Sequence, residues 1–312
     1  MNRRELLAAA AAAAVSGSRR RRARIAVTLD LEMSRNFPTW ETTHWDYEKG
    51  NLNEETKRYA VEACRRVKRF GGTATCFVVG RVLEQENVDW LREIAREGHA
   101  IGNHTYDHVN VKARTRDEIQ YRFQRAPWLI EGKSPAEVIR ENIRLTQSAL
   151  KARIGVEPVG FRTPGGFADG LSDRPDVREM LRASGFAWVS SKYPAHPTGE
   201  ADLDAIVKAQ AEAQPFAYPD GLVEIPMSPP SDIAAFRNGR WKLEVFLAAI
   251  RRAVAWTIES GAVFDFLGHP SCLYVVDPEF RAIDLVCELA RAAGDRAALV
   301  DLGEVAREAG KR

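Results

Sequence analysis

Ile25-Ala26-Val27-Thr28-Leu29-Asp30-Leu31-Glu32 alternates in character near the start of a 312-residue chain. Successive side chains on a strand point to opposite faces, with a period of two. Ile25, Val27, Leu29 and Leu31 make one apolar face, suited to packing under helices. Thr28, Asp30 and Glu32 share the other, which points into the interior and mouth of a curled sheet. Two carboxylates at a strand end are costly to bury unless a cation neutralises them. The stretch predicts a first strand with a charged centre at its end.

Outward from this strand, short apolar runs alternate with amphipathic segments, the pattern of βα units around a parallel sheet. Further strands are predicted over Thr73–Gly80, His99–Asn103, Val159–Thr163, Phe186–Ser190, Leu222–Pro226, Val263–Leu267 and Ala298–Leu302. Helices are predicted over Glu55–Phe70, Asp89–Glu97, Asp176–Ser184, Leu243–Ser260 and Glu279–Ala293, and after the capping box Ser134-Pro135-Ala136-Glu137. Asn51 with Glu54 reads as the start of the first helix, and Gly71-Gly72 as its end. No repeat or linker divides the chain, so residues 24–312 are expected to form a single (β/α) barrel of about seven strands. In such barrels chemistry sits where strands end and loops begin.

Lys plus Arg number 45 against 43 Asp plus Glu, a net charge of +2. Arg3, Arg4, Arg19, Arg20, Arg21, Arg22 and Arg24 hold much of that excess, so the body is slightly acidic and gives no footprint for nucleic acid. Residues 1–23 combine paired arginines, an Ala-rich apolar run and a small-residue exit. They are expected to be an export signal of the twin-arginine type, which places the protein in the periplasm or outside the cell. Without that role for the leader the chain would be cytoplasmic. Nothing reaches the roughly 18 apolar residues of a membrane span. The cysteines at 64, 76, 272 and 287 show no C-x-x-C spacing and are expected to be buried free thiols.

Reactive residues fall at the predicted strand ends. In Gly98-His99-Ala100-Ile101-Gly102-Asn103-His104-Thr105-Tyr106-Asp107-His108, two histidines stand four apart. If the chain turned helically there, both imidazoles would face one side and share a metal. A carboxylate from the first strand would be the third ligand. Arg162, in Gly160-Phe161-Arg162-Thr163-Pro164-Gly165-Gly166, suits a charge-assisted hold on the second carboxylate. His269 ends the late strand of Val263-Phe264-Asp265-Phe266-Leu267-Gly268-His269-Pro270 and suits an acid. Two long connections, Met33–Gly50 with Trp40, His44, Trp45 and Tyr47, and Lys112–Lys133 with Tyr121, Phe123 and Trp128, are aromatic enough to stack on sugar rings. They would equally serve as packed lids.

In this order the four segments resemble the polysaccharide deacetylase family, the NodB-homology or carbohydrate esterase type, from about Arg24 to the C-terminus. The resemblance implies metal-dependent removal of N-acetyl or O-acetyl groups from a carbohydrate, with Asp30 as base, Glu32, His104 and His108 as metal ligands, Arg162 supporting Asp30, and His269 as acid. It implies a divalent metal, Zn²⁺ first, with Co²⁺ or another ion as alternatives. Pro164, Gly165, Trp188 and Trp45 are candidate substrate contacts. Two departures stand out. The aspartate pair of most members is D-x-E here, which leaves open an exchange of roles between Asp30 and Glu32. An aspartate that many members carry near Val189 to orient the histidine is missing, and Asp265 is a weak candidate to replace it. Two other functions fit the same residues: hydrolysis of a small cyclic amide, as in allantoinases, and a silent carbohydrate-binding barrel.

Overall fold

The computed structural model describes residues 21–33, 48–197 and 199–311. Of the leader expected at residues 1–23, residues 1–20 lie outside the described residues, as do Trp40, His44, Trp45 and Tyr47, while Ala23 already belongs to the first strand. In chain order the elements are β1 (Ala23–Leu31), α1 (Glu54–Arg69), β2 (Thr75–Val78), α2 (Asp89–Arg96), β3 (Ala100–Asn103), α3 (Tyr121–Arg125) and α4 (Pro135–Ile154). There follow β4 (Phe161–Phe167), α5 (Pro175–Ala183), β5 (Trp188–Lys192), α6 (Leu203–Glu212), β6 (Phe216–Ala217) and β7 (Val223–Glu224). A π-helical turn (Ile233–Asn238) precedes α7 (Leu243–Ser260), β8 (Val263–Gly268), α8 (Pro270–Val276), α9 (Arg281–Ala292), β9 (Ala297–Leu299) and α10 (Leu302–Ala309).

The strands form one sheet in the order β6-β7-β5-β4-β3-β2-β1-β8, with β9 paired along the start of β1. All ladders are parallel except β6 with β7, so the sheet is mixed. It curls into a half-barrel, and past β7 the chain touches β8 at one bridge, Ser228 with Phe266. That bridge brings the loop after β7 over the mouth of the barrel, which matters for the site.

The alternation of β1 sorts its side chains as the sequence requires. Ile25, Val27, Leu29 and Leu31 are buried in the main core with Phe246 and Ile250 of α7 and Ile283 and Val286 of α9. Thr28 and Asp30 turn inward and are buried among polar groups. Helix starts follow local chemistry. Ser134 and Glu137 make the reciprocal capping box of α4, and Gly155 ends that helix in the left-handed conformation. The cap of α1 is Asn53, whose side chain accepts from the Thr56 N–H, two residues later than Asn51.

Other boundaries also moved. β4 continues through Phe167 rather than stopping at Thr163, and β5 starts at Trp188 rather than Phe186. The four cysteines are buried free thiols, with Cys64 and Cys76 sulfurs 3.6 Å apart. Among the described residues no helix is long and apolar enough to cross a membrane.

Candidate metal centre and active site

The site grows from the C-terminal ends of the strands, around the buried guanidinium of Arg162 on β4. This side chain has no exposure to solvent. Its Nη1 donates to Thr28 Oγ1 (2.8 Å) and Asp30 Oδ1 (2.9 Å), its Nη2 to Asp265 Oδ2 (2.5 Å), and its Nε to Ser190 Oγ (3.2 Å). The guanidinium lies over the Phe77 ring, 4.3 Å from its centroid. Strands β1, β2, β4, β5 and β8 thus all contribute to one cluster in the barrel interior. Thr28 completes it by donating to Asp265 Oδ1. Burial pushes the Asp30 carboxyl upward, but Arg162 and the imidazoles of His104 and His269 outweigh burial and hold it below the usual range. Asp265, deeper in the barrel and shielded from water, is pushed up to about 6 despite Arg162.

One residue past β1, Glu32 meets both motif histidines. Its Oε2 lies 2.6 Å from His108 Nε2 and 3.6 Å from His104 Nε2. The three ligand atoms all fall within 4.8 Å of one another. Those separations bracket the ~3.3 Å edge expected when ~2.0 Å metal–ligand bonds point to tetrahedral corners. His104 Nδ1–H donates to the Arg162 carbonyl (3.0 Å), which leaves the Nε2 lone pair facing the group. Two imidazoles and a carboxylate are a donor set that suits a divalent transition ion, so Glu32, His104 and His108 can hold one. Asp30 is not part of this triad, and its Oδ2 stands 3.8 Å from His104 Nε2.

The histidines do not converge by a helical turn. The chain after β3 is irregular, and Thr105 (φ 58°) and His108 (φ 59°) both adopt the left-handed conformation. For a β-branched residue such as Thr105 this is a rare state, tolerated where surrounding bonds over-determine the backbone. They do so here. Thr105 N–H donates to Asn103 Oδ1, Val109 N–H to Thr105 Oγ1, and Asp107 N–H to Asn142 Oδ1 from α4. The result sets the two rings 5.0 Å apart at 71°.

His269, which caps α8 at the end of β8, stands 3.8 Å from both Asp30 Oδ2 and Glu32 Oε1. The partner of its Nδ1 is Asp232, at 2.8 Å, and the other oxygen of Asp232 accepts the His269 backbone N–H at 2.7 Å. Asp265 does not take this role, because it is committed to Arg162 and Thr28. Sequence reasoning missed Asp232 because it lies in the irregular loop after β7. The signal available was positional: a lone aspartate in a loop following a strand end. Burial opposes a charge on His269, but Asp232, Glu32 and Asp30 outweigh it and raise the imidazolium to about 9.

A histidine raised from 6.5 to about 9 stabilises the fold fully below about 6.5 and loses that contribution as pH climbs through about 9. In metal-free protein, Asp232→Asn is therefore expected to lower the melting temperature most at low pH. The gap to wild type should narrow as pH passes 9. A gap independent of pH between 6 and 10 would show that the pair does not hold charge.

Lys49 was also unforeseen. It is buried, with its Nζ 2.7 Å from Glu32 Oε1, and is brought there by the Gly50 N–H donating to the Glu32 carbonyl. Burial raises Glu32, while Lys49 and the two histidines pull it well below the ordinary range. His108 is pushed down to about 4 by burial and by Lys49, and so stays neutral, as a ligand must be.

Asp30, Glu32, Lys49, His104, His108 and His269 line a cavity of about 430 Å³ at the barrel mouth, together with Thr163, Gly165, Gly166, Tyr193, Met227 and Arg237. Of the candidate substrate contacts, Gly165 lines the cavity and Pro164 does not. Trp188 is no substrate contact at all. It is buried in the core beside Phe77, and a Cβ at Gly160 would lie 2.1 Å from its ring, so the glycine exists to seat the indole. Trp45 lies outside the described residues.

Comparison with known proteins agrees with this geometry. Residues 46–180, which include His104, His108 and Arg162, match the model of the polysaccharide deacetylase family. A chitooligosaccharide deacetylase from Azorhizobium caulinodans is 35% identical over 68 residues, which are 22% of this chain and 32% of that protein. The match therefore spans only about a third of that relative's length. The fold is shared with a Mycobacterium smegmatis structure described as a polysaccharide deacetylase (TM-score 0.62, 18% identity, 94% of this chain and 92% of the other). It is shared as well with a Pseudomonas aeruginosa PAO1 structure of the same description (0.62, 15%, 93% and 91%) and with the Puue allantoinase (0.60, 14%, 93% and 91%). The curled half-barrel is the fold of these structures, and here its mouth carries Glu32, His104 and His108 as a group able to hold a metal ion. Over residues 46–180, somewhat under half of its length, the chain is similar to the polysaccharide deacetylase family.

Proposed function

We propose that the protein is a zinc-dependent hydrolase that removes N-acetyl groups from a carbohydrate, using the D-x-E form of the first motif. The observation that carries this reading is the convergence of Glu32, His104 and His108 into one ligand group with Asp30 beside it and outside it. That arrangement supports one assignment of the two roles left open by the sequence, with Glu32 binding the ion and Asp30 acting as the base. A bound divalent ion supplies Lewis-acid polarisation of the acyl carbonyl and a lowered pKa for water. Asp30, kept ionised by Arg162, accepts the proton of the attacking water. His269, kept protonated by Asp232, donates to the departing amine. Gly165 and Gly166 let the backbone approach the substrate along one wall of the cavity.

The choice of a carbohydrate is supported by the description of the family matched over residues 46–180 and by the name of the Azorhizobium relative. Export by the first 23 residues would place that glycan outside the cytoplasm. The size of the cavity, about 430 Å³, favours a single sugar unit at the reacting centre and also admits a small amide as a second reading. His104→Ala is expected to lose the metal and with it all acetate release from N-acetylglucosamine oligomers. Retention of one zinc per chain by this variant, measured by mass spectrometry of dialysed protein, would reject the ligand set.

A further inference from the structure

The two carboxylate oxygens of Glu32 are flanked differently. Oε2 faces the imidazoles, 2.6 Å from His108 Nε2 and 3.6 Å from His104 Nε2, while Oε1 takes the Lys49 ammonium at 2.7 Å. Lys49 is only 4% exposed, and it lines the same cavity as the three ligand residues. Its backbone has little freedom to withdraw. The Gly50 N–H donates to the Glu32 carbonyl at 2.7 Å, and a Cβ at Gly50 (φ 88°) would lie 2.2 Å from Arg81 Cβ. Leu52, two residues further on, is buried in the main core. The turn that carries Lys49 is thus pinned between the end of β1 and the chain just past β2. Ion binding by itself does not call for this lysine. A carboxylate ligand offsets part of the charge of its ion, whereas an ammonium on that carboxylate cancels the offset and repels the ion in a buried site, where charges act more strongly than in water.

We propose that Lys49 is a positioning residue that acts through Glu32: it holds Oε1, leaves Oε2 for the metal and cancels the charge of the ligand, so that the ion binds less tightly but stays more strongly electrophilic. This rests on the reading of Glu32, His104 and His108 as the ligand set. With Lys49 in place, two neutral imidazoles and a paired carboxylate surround the ion, and these four side chains carry no net charge. The ion then keeps more of its own charge for polarising the acyl carbonyl.

The zinc affinity of the full chain, measured by competition with a chromophoric chelator, tests this through its sign. If Lys49 only oriented Glu32, its loss would weaken the site, by about 10–100-fold for a lost hydrogen bond to a ligand. The charge role predicts the reverse. Lys49→Met and Lys49→Gln are each expected to bind zinc about 10-fold or more tightly than the unaltered chain, and Lys49→Arg within about 3-fold of it. Glutamine retains a donor for Oε1, which separates loss of charge from loss of the hydrogen bond, and circular dichroism checks that each variant is folded. Both neutral variants should release acetate more slowly at full zinc occupancy. Affinity unchanged or reduced in either folded neutral variant overturns the proposal. So does a zinc-loaded structure in which the ammonium has left Glu32 Oε1. An unaltered chain that takes up no zinc rejects the ligand set, and this inference with it. One that binds zinc but releases no acetate counts against the deacetylase reading, while the sign of the affinity change still decides the role of Lys49.

Discussion

Asparagine at position 30 is expected to lower turnover by about 10²–10⁴-fold while the protein still binds one metal ion per chain, the range associated with loss of a positioned general base. The asymmetry follows from geometry. Asp30 lies outside the Glu32–His104–His108 group, so replacing it removes a proton acceptor without removing a ligand. Asparagine keeps the size of the side chain and an oxygen for Arg162 Nη1. Steady-state rates and metal content measured on the same preparation check this. Turnover within a factor of about three of wild type would remove Asp30 from the base role. A parallel loss of metal would make it a ligand instead.

Arg162→Met is expected to cost about 3–5 kcal/mol of stability, the range seen when one partner of a buried ion pair is removed. This guanidinium has no contact with water and serves two buried carboxylates, so its loss leaves Asp30 and Asp265 without their cation. Asp30 should then take up a proton more readily, and any surviving activity should shift its acid limb to higher pH. Chemical denaturation reads the stability, and adding Asp265→Asn to Arg162→Met should restore part of it. A loss below about 1 kcal/mol for the single variant would mean that the cluster is hydrated and that Arg162 is not its keystone.

How far the sequence could be read depended on whether a residue sat in a periodic element. β1 declared its faces through strict alternation, and the helices of 135–154 and 243–260 through capping and length, because those signals are local. His104, His108, Arg162 and His269 were legible as strand-end residues. The bend that joins the two histidines was not, since left-handed Thr105 and His108 depend on bonds from Asn103 and Asn142. Asp232 and Lys49 stayed hidden for a similar reason: each reaches the site from a loop whose path is fixed by tertiary contacts, the Ser228–Phe266 bridge in one case and the Gly50–Glu32 hydrogen bond in the other. Trp188 misled because an aromatic near a strand end resembles a sugar platform. Only the packing of Gly160 against it shows a core residue.

Crystals of the zinc-loaded chain, with diffraction recorded on either side of the zinc absorption edge, would locate the ion directly. One anomalous peak about 2.0–2.2 Å from Glu32, His104 Nε2 and His108 Nε2, with the Asp30 carboxylate still on Arg162, is the predicted result. A peak bonded to Asp30 in place of Glu32, or sited away from these histidines, would contradict it.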